Sequence, residues 1–569
     1  MPNLNLLKTM DNIEYSLTEK IAHARKLDDS PLQLKADSLS CLMHVYLHDT
    51  QQASSLFLVY YDEFNNRKHY TYAEFISEAR KTASYLMHCG ITKGDTIAIA
   101  AHNHSDTIVQ YFAAWILGAC IVPLNMTEDD SRLTYIINNS LSKIILCRSE
   151  YKDRISQLIK DSHVISIEVD TDQKDSLYAE KIISMPESAL SLESMLDCES
   201  LIVYTSGTTG NPKGVVLNQQ QMLADADSIS SWHHITKTTK MMCVLPIHHV
   251  NGCIVTHITP FYVGASVVLN RKFQTDIFFE RIVQEQVHIV SVVPTLLAFL
   301  LESDLHADAA INSGFSHIIC GAGPLTCELA HAFEKRFSIP IIHGYGLSET
   351  TCYSCFIPSD LSKDEHTHWM QSFGFPSIGI PLPCNQMEIH DMFGNSLAEH
   401  QRGEIVIRGY NVMKEYYNAL EANEQAFSHG WFRSGDEGFW VKDSHNNPYF
   451  FITGRLKELI IRGGVNLAPL EIDEVIARAP GVKAGICVGF VNDFYGEEVG
   501  ALIIPTHKDV KEEDILQYCF QKLPFSKAPK CIVFTDKLPV TSTGKYQRNK
   551  AKHLFAQYQG KQFKKIAIS

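Results

Sequence analysis

The residues best suited to chemistry lie between Leu201 and Leu217, which read Leu-Ile-Val-Tyr-Thr-Ser-Gly-Thr-Thr-Gly-Asn-Pro-Lys-Gly-Val-Val-Leu. Two apolar, β-branched runs flank a turn built from Thr205, Ser206, Gly207, Thr208, Thr209 and Gly210, and Lys213 follows. Glycines let backbone N–H groups curl around phosphate oxygens, hydroxyls add donors, and the lysine supplies a point charge. The composition predicts a polyphosphate ligand on a strand–turn–strand unit. A Walker A loop needs Gly-Lys-Ser/Thr opening a helix. Here Pro212 precedes Lys213, Gly214 follows it and β-branched residues come next, so a P-loop nucleotidase is disfavoured.

A second candidate set is Cys352-x-x-Cys355 with His366 and His368. Its histidines are separated by one residue, short of the roughly three to five of a zinc site, so the cysteines are expected to line a strand. His233-His234, His102 and His104 show no useful constellation in the sequence.

The elements that carry these residues alternate two periodicities. Phe75, Ile76, Ala79, Ala83, Leu86 and Met87 recur at helical spacing, and Thr96 to Ala100 then reads as a buried strand. Tyr111 to Leu124 is uncharged, but Gly118 and Pro123 interrupt it, which predicts a buried helix turning into a core strand rather than a membrane span. Strands are expected at 287–293 and 339–342, with a helix between Cys327 and Arg336. Beyond Gly454-Arg455, a helix opened by Pro469 and stopped by Pro480-Gly481, strands at 484–490 and 499–504, a helix at 512–523 and a strand at 532–534 make a small α+β unit. The expectation is therefore a large layered α/β domain over 1–454 and a small α+β domain over 455–569.

Fifty Lys+Arg against 64 Asp+Glu leave a net charge of −14 over 569 residues, a poor balance for wrapping nucleic acid. Fifteen scattered cysteines and an opening MPNLNLLKTMDNIEY with no apolar core fit reduced thiols and a cytoplasmic protein, with no disulfide framework and no signal peptide.

Residues Tyr204 to Gly214 resemble the signature loop of the acyl-adenylate-forming superfamily, which contains acyl-CoA synthetases, luciferases and nonribosomal-peptide adenylation domains. Further segments are similar to its motifs, in the same order: Leu245-Pro246-Ile247-His248-His249-Val250-Asn251-Gly252 to the gate, Gly321-Ala322-Gly323-Pro324-Leu325 to the adenine-side turn, and Tyr345-Gly346-Leu347-Ser348-Glu349-Thr350, with Gly344 before it, to the magnesium and adenine motif. Gly403 to Gly409, Gly430 to Asp436, Gly454 to Ile460 and Leu538 to Lys545 complete the match, which spans roughly residues 65 to 555. Ser348 stands where Thr is commoner, and His248 where Phe is common.

The resemblance implies a two-step reaction: a carboxylate displaces pyrophosphate from Mg-ATP to give an acyl-adenylate, and a thiol, commonly that of coenzyme A, takes the acyl group. It implies that Thr205 to Gly210 and Lys213 hold the β- and γ-phosphates, that Glu349 carries Mg²⁺, and that Tyr345 stacks on adenine beside Gly321, Ala322, Gly323, Gly344, Gly346 and Ser348. Asp436 would accept from the ribose hydroxyls and Arg455 would contact ribose or phosphate. Lys545 would bridge carboxylate and α-phosphate, Lys457 would be the hinge, and Gly463 and Gly464 would line the pantetheine channel. His249 is either the gate between nucleotide and acid or a packed core residue.

No aspartate lies between Met241 and Cys253 to hold an amino group. Small residues at Gly321 to Gly323 leave room behind the gate, and Cys352, Tyr353, Cys355 and Phe356 could form an apolar wall. A medium- or long-chain fatty acid, or an aryl acid, is expected over a dicarboxylate, with loose membrane association conceivable through its lipid product. Transfer to a carrier-protein phosphopantetheine is the near alternative, and a non-catalytic nucleotide-binding scaffold the distant one.

Overall fold

A computed structural model describes residues 15–27, 32–160, 162–173, 176–205, 211–540 and 546–563. Two largely parallel sheets form the body. In one of nine strands, Leu56–Tyr61, Ser266–Asn270, Lys240–Cys243, Ile289–Val292, His317–Cys320 and Ile341–Tyr345 run parallel as neighbours, with antiparallel strands at both edges. In the other, of seven strands, Thr96–Ala100, Cys120–Leu124, Ile144–Cys147, Ile165–Glu168 and Glu199–Thr205 are parallel, and Lys213–Asn218 and Glu415–Tyr416 add an antiparallel edge.

Strands covered on both faces must be apolar throughout, which is why Cys120–Leu124 and Ser266–Asn270 are buried at every position. The helix Ser105–Ile116 is buried along its whole length and turns at Gly118, φ 68°, into Cys120–Leu124, as expected. A large apolar cluster that includes Phe57, Phe75, Phe112, Trp115 and Phe261 fills the interior beside both sheets.

A four-stranded antiparallel sheet ends in the hairpin Phe432–Lys442 and Pro448–Arg455. After Arg455 the chain makes one 3-10 turn, Leu456–Glu458, and enters a separate five-stranded sheet. There the hairpin Val482–Asn492 and Gly496–Pro505 is covered by the helices Pro469–Ala477 and Glu512–Lys522, around Ile472, Ile476, Val499, Ile503 and Ile515. The small α+β unit read from the sequence is thus present with its own core. Among the described residues, no helix is long and apolar enough to cross a membrane.

Candidate active site

The two strands expected around the 205–210 segment are present. Glu199–Thr205 and Lys213–Asn218 pair antiparallel with Thr205 opposite Lys213, and the Thr205 hydroxyl donates to the Lys213 carbonyl at 3.4 Å. Ser206, Gly207, Thr208, Thr209 and Gly210 lie outside the described residues. The short strand Glu415–Tyr416 is laced onto the exit strand opposite Val216 and Val215. It carries a residue that sequence reasoning missed.

The Lys213 ammonium sits 4.7 Å from the centre of the Tyr416 ring, and the Tyr416 hydroxyl donates to Glu349 Oε1 at 2.8 Å. One aromatic ring therefore braces both the loop lysine and the candidate metal ligand, and the Met413 N–H donates to the Glu349 carbonyl at 2.8 Å from the same segment. Burial, and then the neighbouring Lys457 ammonium, push the Lys213 pKa down, while Glu349 opposes them. Burial and the Glu349 carboxylate raise the Tyr416 phenol well above its usual range, so it stays a donor.

The remaining motifs follow the carboxyl ends of parallel strands in one sheet, where ligands of open α/β sheets gather. Gly321, Ala322 and Gly323 follow His317–Cys320, Gly344 and Tyr345 end Ile341–Tyr345, and the gate segment follows Lys240–Cys243. The Tyr345 hydroxyl donates to Asp436 Oδ2 at 2.6 Å, and Asp436 is fully buried. Arg455 Nε approaches Asp436 Oδ1 to 2.6 Å, yet Oδ1 receives no well-directed hydrogen bond. The Asp436 carboxylate holds the Arg455 guanidinium pKa above its ordinary value, with Glu349 among the further contributors. Beyond Gly346, Ser348 and Glu349 occupy the 3-10 turn Ser348–Thr350, followed by Thr351 in a left-handed conformation, φ 64°.

The gate segment is clamped by the buried side chain of Asn103, which donates to the Leu245 and Asn270 carbonyls at 2.9 and 3.0 Å and accepts from the Ile247 N–H at 2.9 Å. The His248 and His249 rings lie 4.3 Å apart, and burial lowers the His248 pKa to about 4. From Asn251 to Ile258 the chain is π-helical, a widened helix often found at functional sites and one that sequence periodicity did not reveal.

Behind the gate the structure departs from the sequence-based expectation of free space. A Cβ on Gly321 would stand 2.6 Å from the Tyr353 hydroxyl, and one on Gly344 would stand 2.3 Å from the Phe356 ring. The aromatic residues expected as a wall occupy the volume that those glycines seemed to leave open. Tyr353 reaches inward because the Cys352–Ser354 turn folds back, with the Ser354 N–H bonded to the Tyr345 carbonyl at 2.8 Å.

In the small domain, Lys457 lies exposed on the 3-10 turn after Arg455. Gly463 and Gly464, φ 58° and 82°, form the exposed turn between Ile460–Arg462 and Val465–Leu467. Among the described residues a Gly463 Cβ would meet Tyr495 at 3.7 Å, and nothing lies within 4 Å of one on Gly464. Lys545 lies outside the described residues, and Val540 and Tyr546 on either side form an antiparallel bridge. The lobes meet where Glu474 accepts from the Cys327 N–H at 3.0 and 3.2 Å, at the start of the helix Cys327–Phe337; burial pushes Glu474 up to about 7.

Two histidine groups dismissed from the sequence do form constellations, because their partners are distant in the chain. His233 stacks on His317 with Nδ1 and Nε2 3.0 Å apart. Among the described residues the group with metal-like spacing is His104, Asp106 and Asp172. The Arg148 guanidinium lies 3.4 Å from Asp106 and 2.7 Å from Asp172, so an internal cation already neutralises these acids. Cys355 lies on a strand as expected, whereas Cys352 sits in the preceding turn.

The AMP-binding enzyme family matches residues 48–417, and the AMP-binding enzyme C-terminal domain matches residues 471–545. A sulfoacetate–CoA ligase of Cupriavidus necator is 31% identical over 483 residues, covering 84% of this chain and 91% of that protein. A long-chain-fatty-acid–CoA ligase, FadD13 of Mycobacterium tuberculosis, is 30% identical over 475 residues, covering 84% and 91%. The solved structure of O-succinylbenzoate coenzyme A synthetase from Bacillus subtilis, in complex with ATP and magnesium ion, is similar with a TM-score of 0.75 and 26% identity, covering 90% of this chain and 98% of that one. Ligases of this kind use ATP with Mg²⁺ and take CoA as a substrate. These matches show that the chain belongs to the AMP-binding enzyme family, among the acid–CoA ligases of the acyl-adenylate-forming superfamily.

Proposed function

We propose that this chain joins a carboxylic acid to the thiol of coenzyme A through an acyl-adenylate, with residues 1–454 as the nucleotide and acid domain and 455–569 as a lid. The observation that carries the reading is that Tyr416 brings Lys213 and Glu349 together, with the Lys457 ammonium near Lys213 and Arg455 near Glu349. Like charges gathered this closely repel one another. A polyphosphate relieves that repulsion and receives charge-assisted hydrogen bonds.

In the first half-reaction an oxygen of the acid attacks the α-phosphorus of ATP, and the bond to the β-phosphate oxygen breaks as pyrophosphate leaves. Negative charge grows on the phosphates throughout, so fixed cations and donors are the main requirement. Lys213 and the Thr205–Gly210 turn bind the β- and γ-phosphates. Asp436 accepts from the ribose; its Oδ1 lacks a directed donor, and a hydroxyl supplies one. Tyr345, tethered to Asp436, presents its ring to adenine beside Gly321, Ala322, Gly323, Gly344, Gly346 and Ser348.

Glu349 offers the hard oxygen that Mg²⁺ prefers, and the Tyr416 hydroxyl fixes that carboxylate's orientation. A magnesium ion held there would supply positive charge toward the phosphates. His249, next to neutral His248, separates the nucleotide from the acid. Lys545 bridges the acid and the α-phosphate. In the second half-reaction the small domain turns about Lys457, Gly463 and Gly464 admit the pantetheine arm, and the thiol sulfur displaces AMP from the acyl carbon.

The acid is proposed as a class. Relatives are named for acids as different as sulfoacetate and long-chain fatty acids, and a medium- or long-chain fatty acid is the sequence-based expectation within that range. Acid-dependent ATP–pyrophosphate exchange without CoA, followed by thioester formation on adding CoA, tests the reading. Exchange that needs no acid, or an acyl group that passes only to a carrier protein, would refute it.

A further inference from the structure

We infer that the acid is compact, a short-chain carboxylate, because Tyr353 plugs the acyl side of the gate. The inference rests on the ligase reading, in which the acid's tail points away from the α-phosphate into the space between the gate segment and Gly321. Three side chains close that space in a hydrogen-bonded ring. Asn251, on the π-helix after the gate, donates to the Tyr353 hydroxyl at 3.1 Å. Ser291, on the neighbouring strand, donates to Asn251 Oδ1 at 2.8 Å and also lies within hydrogen-bonding reach of the Tyr353 hydroxyl. All three are buried, Tyr353 to 1% exposure.

The phenol is held from behind as well as at its tip. The Tyr353 carbonyl accepts from Asn411 at 2.8 Å, and its N–H donates to the fully buried Asp225 at 3.4 Å. With the backbone tied on both sides, the ring cannot swing aside without leaving the Asn251 amide buried and unpartnered, a costly state. The clearance at Gly321 is already taken by the Tyr353 hydroxyl, and that at Gly344 by Phe356. A long alkyl chain directed at Gly321 would need the volume these rings fill, whereas a short acid makes no such demand.

The test is the chain-length profile of acid-dependent ATP–pyrophosphate exchange across acetate, propionate, butyrate, octanoate and palmitate, for the wild type, Tyr353→Ala and Tyr353→Phe. The wild type is expected to favour the short acids. Tyr353→Ala should raise the octanoate-to-propionate ratio by about tenfold or more. Tyr353→Phe should keep the wild-type ratio, because ring volume sets the limit, and Tyr353→Leu replaces the alanine variant if that one fails to fold. A wild-type preference for octanoate or palmitate, or an unchanged ratio in a folded Tyr353→Ala, overturns the inference and leaves the ligase reading standing. Exchange with no acid at all overturns the ligase reading and this inference with it. The wild-type profile depends on no variant's folding.

Discussion

Replacing Tyr416 with phenylalanine removes one oxygen and leaves the ring under Lys213. The lost contact is the 2.8 Å hydrogen bond to Glu349, an ionised acceptor, and Tyr416 is 7% exposed, so water cannot readily take its place. A hydrogen bond to a charged group contributes about 1.5 to 3 kcal/mol. The bond stands without metal, so its loss acts on catalysis through the aim of the Glu349 carboxylate; where that whole contribution is lost in the reacting complex, kcat/KM for ATP falls by about ten- to hundredfold. Tyr416→Leu also removes the ring, and with it a cation–π contact of about 0.5 to 1 kcal/mol, a further loss of roughly two- to fivefold.

The assay is pyrophosphate exchange at varied Mg²⁺, alongside thioester formation from preformed acyl-adenylate. Tyr416→Phe should show a raised Mg²⁺ requirement in exchange, an unchanged thioester step and a slightly lowered melting temperature. Exchange within twofold of wild type at limiting Mg²⁺ would refute the reasoning. So would equal losses in both half-reactions.

Lys545→Ala should slow adenylate formation by about 10² to 10³, the effect of one lost electrostatic donor, while sparing thioester formation from preformed adenylate; equal loss of both half-reactions contradicts its proposed role. Gly464→Leu should retain exchange and lose thioester synthesis. Its φ of 82° is unfavourable for leucine but its surroundings are open, so a melting curve checks that the fold survives, and full ligase activity would remove Gly464 from the channel. Stability should fall with acidity between about pH 6.5 and pH 4. Burial holds His248, His257, His317 and His343 at about 4, and it pushes His233 well below its ordinary value too. The unfolded imidazoles titrate near 6.5, so below that pH the unfolded chain binds more protons and is favoured. The carboxyls of Asp225, Glu474 and Asp170, whose pKa values burial raises, act in the opposite sense, three groups against five imidazoles. A melting temperature that stays level or rises from pH 6.5 to pH 5 would contradict this sign.

Features fixed by neighbouring residues were legible before any coordinates. The paired strands on either side of residues 206–210, the helix-to-strand passage at 111–124 and the Pro469 helix each follow from apolar period, glycine and proline. Tyr416 was not legible, since a two-residue strand carries no period and its meaning lies in pairing with Val215 and Val216, far away in sequence. The Asn251–Ser291–Tyr353 ring escaped for the same reason: each residue is unremarkable in its own segment, and only the sheet brings them together. Tyr353 read as wall because an aromatic among apolar neighbours reveals that it is buried, not which cavity it fills. The phosphate motif stood out because glycine, hydroxyl and lysine within ten or so residues have few purely structural uses together.

The account depends on the acid becoming joined to the α-phosphate, and an isotope follows that bond directly. If both carboxylate oxygens of a competent acid carry heavy oxygen and the complete reaction is run with ATP, Mg²⁺ and CoA, one labelled oxygen should appear in the AMP released with the thioester. Unlabelled AMP, or ADP with label in inorganic phosphate, would mean that no acyl-adenylate forms.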